Sequence, residues 1–312
     1  MVFPEPDRLS PSNAVQHWPQ TALVAEIKPE LEKLPSNDQV LAEAIATAPV
    51  VLGFIASPHT DVLPQTKAGL AHGGDDPRLF APYYPGSAVT LKELQDPAVG
   101  AGALNWIPEF DQIIRRMPMV VRIGDTLYPS FAADLLRQAQ GASTYVIKSS
   151  GASGEQSFGE KTGIVKVRVG DFEVPTEASG QMWMRFTPQN RDRYLPAWKV
   201  LDGEIPAEEI AGRIILIGTS AAGLLDLRAT PIEASVPGVE LHAQAVEQIL
   251  KGAFLQRPDF ATPAELLYIL LLGTLIAVLI YRAGALGSAV VSIIAIAFVI
   301  GFSWYAFDKL GW

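Results

Sequence analysis

The residues best suited to chemistry lie near the end of the polar part of the chain. An apolar segment, residues 214–217, runs into a glycine-flanked loop, and Pro237 and Gly238 then open a helical pattern. The loop and the start of the helix carry hydroxyl, carboxylate, guanidinium and imidazole groups, a set that could hold a small polar ligand. The candidate ligand-binding residues are Thr219, Ser220, Asp226, Arg228, Thr230, Glu240 and His242.

These residue types also have plainer uses. Backbone N–H groups after a strand and before a helix could bind an anion, but no lysine of a phosphate-binding loop follows Ser220. Hydroxyl and carboxylate side chains such as Thr219, Ser220 and Asp226 often cap turns, and His242 could satisfy a buried backbone group. The sequence leaves a ligand role and a structural role open.

Ser220, Asp226 and His242 stand in the chain order of an α/β-hydrolase triad. The nucleophile of that fold needs glycines two positions before and two after the serine, whereas the second glycine here is Gly223, one residue late. An acid only six positions after the nucleophile is also too close for that fold. A serine hydrolase is therefore the weakest alternative, and we predict no catalytic residue.

Metal and cofactor sites are not predicted. The chain has no cysteine, which excludes thiolate ligands and disulfides. One polar loop collects His59, Asp61, His72, Asp75 and Asp76, but their spacing fits no compact ligand pattern.

The charge of the chain bears on its partners. The net charge is −9, and the pI is about 5.0. Binding to a phosphate backbone needs a basic stripe that displaces counterions, and this chain has none. We predict no nucleic-acid partner.

The elements that must position the candidate residues read as an α/β domain. A capped helical pattern at residues 37–48 ends at Pro49 and leads into an apolar strand at 50–56. Further strands are predicted at residues 115–123, 164–169, 182–186 and 214–217, helices at 129–138 and 238–250, and a long loop at 57–86. This alternation predicts a layered mixed sheet with flanking helices.

Two long apolar runs, residues 264–281 and 286–307, close the chain behind a polar domain of residues 1–260. Each is long enough for a helix to cross the hydrocarbon core of a bilayer, and the connection at 282–285 is too short for anything but a tight turn. The alternative, two core helices of a soluble protein, needs helices that are buried while apolar on all sides. We predict a C-terminal transmembrane helical hairpin.

The orientation of the hairpin is ambiguous from the residues alone. Arg282 in the short turn favours a cytoplasmic turn, which places the large domain outside the cytoplasm. The first residues contain no basic and apolar export signal. Either the domain is cytoplasmic and the hairpin inverted, or the sequence lacks an upstream anchor.

A family resemblance favours the second solution. The apolar segment ending in Ile217 and Gly218, then Asp226, then Thr230 and Pro231, and finally Pro-Gly-Val-Glu-Leu-His-Ala at residues 237–243 occur in one order at close spacing. This pattern resembles the second CHASE family, the cyclases/histidine kinases associated sensory extracellular domain. Residues 3–8, 111–119 and 129–136 are also similar to family segments, so the likeness covers nearly the whole chain.

The resemblance implies an extracytoplasmic sensory domain of a receptor in the plasma (inner) membrane. Family members carry an anchor and a first strand before the position of Met1, three helices after the domain, and a cytoplasmic adenylate or guanylate cyclase or protein kinase. We therefore expect a fragment without its first strand and effector, an unidentified small-molecule or envelope ligand, and a homodimer. The runner-up is a non-signalling membrane-anchored envelope scaffold.

Overall fold

The structure is a computed structural model that describes residues 2–60, 62–152, 162–219, 226–257 and 260–312. It confirms the predicted class, a mixed α/β domain with flanking helices followed by a helical hairpin. The helices of the domain are α1 Pro11–Ala14, α2 Ala22–Leu31, α3 Asn37–Ala46, α4 Lys92–Gln95, α5 Phe131–Ala139, α6 Ala197–Leu201 and α7 Gly238–Leu250. The strands are β1 Val51–Ser57, β2 Gly69–Gly73, β3 Tyr83–Tyr84, β4 Gly86–Ala88, β5 Gly100–Ala103, β6 Arg116–Pro118, β7 Val120–Ile123, β8 Thr126–Pro129, β9 Thr144–Ser149, β10 Ile164–Val169, β11 Phe172–Pro175, β12 Gln181–Trp183, β13 Leu227–Arg228 and β14 Val236–Pro237.

The strands form several small sheets instead of one large one. In the first, β1 pairs parallel with β5 and antiparallel with β4. The longest sheet has the order β11-β10-β9-β2, in which β2 alone runs parallel to its neighbour. The strands β3, β7 and β8 form a third sheet, and β6–β12 and β13–β14 are two-stranded ribbons.

The main hydrophobic core lies where α5 and α7 pack together over strands from several sheets. Ser130 caps α5 by accepting a hydrogen bond from the Ala133 amide. The same helix buries an ion pair in which Arg137 Nε donates to Asp134 Oδ1 at 2.6 Å, and the hydroxyl of Tyr145 on β9 donates to that oxygen as well. Burial next to the Asp134 carboxylate raises the pKa of Tyr145.

The helix–strand unit near the N-terminus matches its prediction. Ser36 and Gln39 form a reciprocal capping box at the start of α3, and β1 follows after the predicted break. The strand predicted at 164–169 and the helix predicted at 238–250 also coincide with β10 and α7.

Two predictions for the middle of the chain are wrong in part. Residues 57–86 were expected to be one loop, but they contain β2 and β3, and β2 pairs with β9, about 75 residues later in the chain. The predicted strand at 115–123 is two strands in different sheets, divided at Met119, whose amide donates to the Gly180 carbonyl at 2.9 Å. Long-range pairing decided both outcomes, and local periodicity carries no signal for it.

Two element boundaries also differ. Pro129 ends β8 instead of opening the helix, which begins at Phe131 after the Ser130 cap. The strand predicted at 182–186 is β12, which ends at Trp183, and the chain then continues along α7.

The apolar segment at residues 214–217 is not the buried strand that the sequence predicts. Ile214 packs against the core, but Ile215 is 47 % and Ile217 78 % exposed, and the segment is irregular. An apolar run becomes a strand only when the backbone of a neighbour pairs with it, and among the described strands none pairs with this segment.

The C-terminal hairpin is confirmed. Two helices, Ala261–Arg282 and Gly284–Leu310, are long and apolar enough to cross a membrane. Of the most apolar stretch of each helix, 0 % and 6 % of the residues are buried within the protein. The helical geometry breaks at Gly284 (φ 70°, ψ −171°), inside the predicted turn. The Tyr268 hydroxyl lies 3.4 Å from the Ala295 carbonyl, so the helices lie side by side. Core helices of a soluble protein would be mostly buried, and these two helices are not.

Candidate functional site

The candidate residues are positioned by the β13–β14 ribbon and by α7, which starts directly after β14. The ribbon pairs Leu227 with Pro237 and Arg228 with Val236. Gly218 brings the preceding segment close to the first turn of α7, because a Cβ at this position would lie 2.6 Å from the Val239 Cβ. The segment that ends at Thr219, the ribbon and the start of the helix therefore lie close together.

Asp226 and Arg228 lie together at the start of α7. Their closest side-chain atoms are 3.5 Å apart and both side chains are more than two-fifths exposed, so this ion pair adds little stability. The Asp226 carboxylate covers the first residue of the helix, since a Cβ on Gly238 would meet Oδ1 at 2.5 Å. A carboxylate at this end is stabilised by the helix dipole. Asp226 thus occupies the place at which an anion would bind.

Thr230 closes the turn between the two strands of the ribbon. It is 5 % exposed, its Oγ1 accepts from the Glu233 amide at 3.0 Å, and its own amide donates to the Glu233 carbonyl at 2.8 Å. This is the turn-forming role of a threonine, which the sequence left open beside the ligand role.

Glu240 lies on the buried side of α7 among polar side chains. Arg193 Nη1 is 3.5 Å from its carboxylate, and Gln244 Nε2 donates to it at 3.1 Å. The same arginine reaches Glu247 at 2.8 Å, so one guanidinium links two carboxylates that lie two turns apart on the helix. The carboxylate of Glu240 is therefore shielded from solvent by Arg193.

His242 faces a different part of the core. It is 4 % exposed, and its ring centroid lies 4.8 Å from that of Trp106 and 5.4 Å from that of Phe131. Burial lowers the pKa of His242 from 6.5 to about 3, although its hydrogen bond to the Leu104 carbonyl opposes this shift. The ring is neutral at physiological pH. One ring nitrogen serves the Leu104 carbonyl, and the buried Nδ1 has no hydrogen-bond partner among the described residues.

The structure thus brings only part of the predicted set together. Asp226 and Arg228 share the helix start, whereas Glu240 and His242 contact separate groups although they are two positions apart. Thr219 is partly buried, and Ser220 lies outside the described residues. The ligand role of the set stays a prediction.

The polar loop with His59 and His72 is held by other interactions. Hydrogen bonds from Arg78 lower the pKa of Asp76 to about 2. Within the ranges that the structure describes, no three His, Asp or Glu side chains cluster closely enough to hold a metal ion, and Asp61 is outside those ranges.

Two glutamines that the sequence did not single out organise this region. Gln244 and Gln248 lie one turn apart on α7 and are 4 % and 5 % exposed. Gln244 binds both backbone groups of Thr187, each at 3.1 Å, and Gln248 binds the Trp183 carbonyl and the Arg185 amide, each at 2.8 Å. The signal that could have revealed them is the spacing of Glu240, Gln244 and Gln248, three polar residues each four positions apart on the buried side of α7, since a buried amide needs partners.

The family of the chain follows from its comparison with known proteins. No curated protein and no solved structure matches it. The model of the CHASE2 domain matches residues 1–280, nearly nine-tenths of the chain, and this match runs through the whole α/β domain into the first apolar helix. CHASE2 domains are extracellular, sensory and non-catalytic. The chain therefore belongs to the CHASE2 family of sensory domains, here followed by a hairpin suited to membrane anchoring.

Proposed function

We propose that the chain is the ligand-sensing part of a plasma-membrane receptor whose output is a cytoplasmic adenylate or guanylate cyclase or a protein kinase. In this proposal residues 1–260 form the sensory domain outside the cytoplasm, and residues 264–307 cross the membrane twice. The observation that carries it is the family match over a domain that is continuous with a membrane hairpin. The receptor acts as a homodimer, and the ligand is a small molecule or an envelope component recognised around Asp226 and Arg228.

The topology is testable because the chain has no cysteine of its own. A cysteine at Leu201, which is 85 % exposed on the domain, should react with a membrane-impermeant maleimide on intact cells. A cysteine at Ala285 in the hairpin turn should react only after permeabilisation. If only the variant with a cysteine at Ala285 were labelled on intact cells, the orientation would be the opposite of the one proposed, and the proposal would be contradicted.

The signalling role is tested by deleting the chain from its native cell and measuring cyclic-nucleotide or phosphotransfer output. We expect a changed output, restored by the wild-type chain. A double substitution, Asp226→Asn and Arg228→Gln, should restore the protein level but not the response. A deletion that leaves the output unaltered contradicts the proposal.

A second function, a non-signalling envelope scaffold, has one specific observation in its favour. Thr230, Glu240 and His242 are buried and engaged with other groups of the protein, as in a structural element. Deletion that changes envelope integrity while signalling output stays constant would support the scaffold.

A further inference from the structure

Gln248 connects α7 to the end of β12, the strand that bridges to the segment before the membrane hairpin. Its Nε2 donates to the Trp183 carbonyl and its Oε1 accepts from the Arg185 amide, so the side chain extends the hydrogen bonding of β12 beyond the end of the strand. The amide is buried, where an unpaired polar group is costly. Movement of α7 along its axis must therefore move Trp183 or break both bonds.

Trp183 is held on several sides. Its backbone pairs with Arg116 of β6 and, through an antiparallel bridge, with Leu255 in the segment between α7 and the first apolar helix. Its indole Nε1 donates to Glu177 at 2.5 Å, and the Arg116 guanidinium lies over its ring at 5.1 Å. The strand end that Gln248 binds is thus fixed to the linker that enters the membrane.

The same linker also contacts the C-terminal end of the second membrane helix. The Gln256 amide donates to the Gly311 carbonyl at 2.6 Å. Gly311 has a φ of +69°, and a Cβ there would lie 2.5 Å from the Phe254 carbonyl oxygen, so only glycine fits. Phe260 and Trp312 add a ring contact at 5.3 Å. Both ends of the hairpin are attached to one short segment.

We propose that the contacts from Gln248 through Trp183 and Leu255 to Gly311 form a coupling joint, which passes movements of α7 to both membrane helices at once. Because the two helix ends share one attachment, the joint tilts or rotates the hairpin as a unit instead of sliding one helix along the other. The role of the joint as a route for signals rests on the proposed sensory function. Its role as a mechanical connection does not depend on that function.

The joint is tested by hydrogen exchange on the full chain in lipid nanodiscs. Gln248→Met keeps the size of the side chain and removes both hydrogen bonds, and we expect the amides of residues 254–256 to exchange about five- to tenfold faster, the factor for about one net hydrogen bond. The matched control is Gln244→Met, with equal burial and equally many backbone bonds one turn away. It should accelerate exchange at Thr187 and leave residues 254–256 at the wild-type rate.

Unchanged exchange at 254–256 in Gln248→Met, or equal acceleration in the control, would overturn the joint. If Gln248→Met also speeds exchange of the α7 amides, a second variant tests the joint from its membrane end. Gly311→Val opens the Gln256 contact without touching α7, and because coupling is reciprocal the Arg185 amide should exchange faster by the same factor, about five- to tenfold. A wild-type rate at Arg185 would equally refute the joint.

These measurements need neither ligand nor effector. A receptor assay that shows no signalling would therefore remove the sensory function and leave the joint standing. A negative exchange result would remove the joint alone.

Discussion

The buried imidazole of His242 makes the stability of the domain depend on pH in a way that can be isolated. The unfolded chain protonates this histidine below about pH 6.5, whereas the folded protein does so only near pH 3, because the site is apolar and closed. Between these values the unfolded state takes up the proton first. The free energy of unfolding therefore falls as the pH drops from 6.5 towards 3, and the full contribution of a neutral His242 is present above pH 6.5.

The size of the effect follows from the two pKa values. At pH 5 the histidine is protonated in the unfolded chain and neutral in the folded one. Because pH 5 lies about 1.5 units below the unfolded pKa of 6.5, protonation stabilises the unfolded state by about 2 kcal/mol. Urea denaturation followed by tryptophan fluorescence, at pH 7 and pH 5, gives the difference for the wild type. His242→Gln can still donate a hydrogen bond to the Leu104 carbonyl but cannot titrate. The free energy of unfolding of this variant should therefore fall between pH 7 and pH 5 by about 2 kcal/mol less than that of the wild type.

The comparison uses the change with pH, so it holds even where the variant is less stable at both pH values. The control is His72→Gln, which removes a histidine at an exposed position of β2 and leaves His242 in place. Equal pH dependence in the wild type and His242→Gln would refute the buried neutral imidazole. It would then favour a histidine that reaches solvent or a ligand.

Two further predictions concern the core that supports the site. Arg137→Met leaves the fully buried Asp134 carboxylate without its guanidinium and should lower the free energy of unfolding by about 3–5 kcal/mol in urea titrations, while a loss below about 1 kcal/mol would contradict the ion-pair assignment. Gly102→Ala puts a methyl group 2.5 Å from the Phe131 Cα and should lower stability by about 1–3 kcal/mol, seen as a lower Tm, whereas Gly273→Ala, with nothing within 4 Å, should leave the Tm unchanged.

Local signals predicted the elements that local chemistry forms. The capping box at Ser36, the apolar face of α7 and the two membrane-length runs each lie within one continuous stretch, and each prediction is confirmed. The family itself was recognisable from the motif around Asp226 and Pro237.

Local sequence patterns did not predict which strands pair with each other. The pairing of β2 with β9, the division at Met119 and the irregular backbone of residues 214–217 all depend on which segment lies alongside, and the local sequence of a strand does not specify its neighbour. The same holds for side chains. A glutamate, a histidine and two glutamines on α7 look alike as polar positions, and only their surroundings separate Glu240 beside Arg193 from His242 beside Trp106.

The sequence by itself determined an α/β domain on a membrane hairpin and the family to which it belongs, since hydrophobic length, capping and motif order are properties of contiguous residues. Only the tertiary structure decided that His242 is enclosed and neutral, that Gln248 binds the end of β12, and that both ends of the hairpin share one linker. Burial and hydrogen bonding between residues far apart in the sequence are set by the packing of the whole chain. No local pattern encodes them.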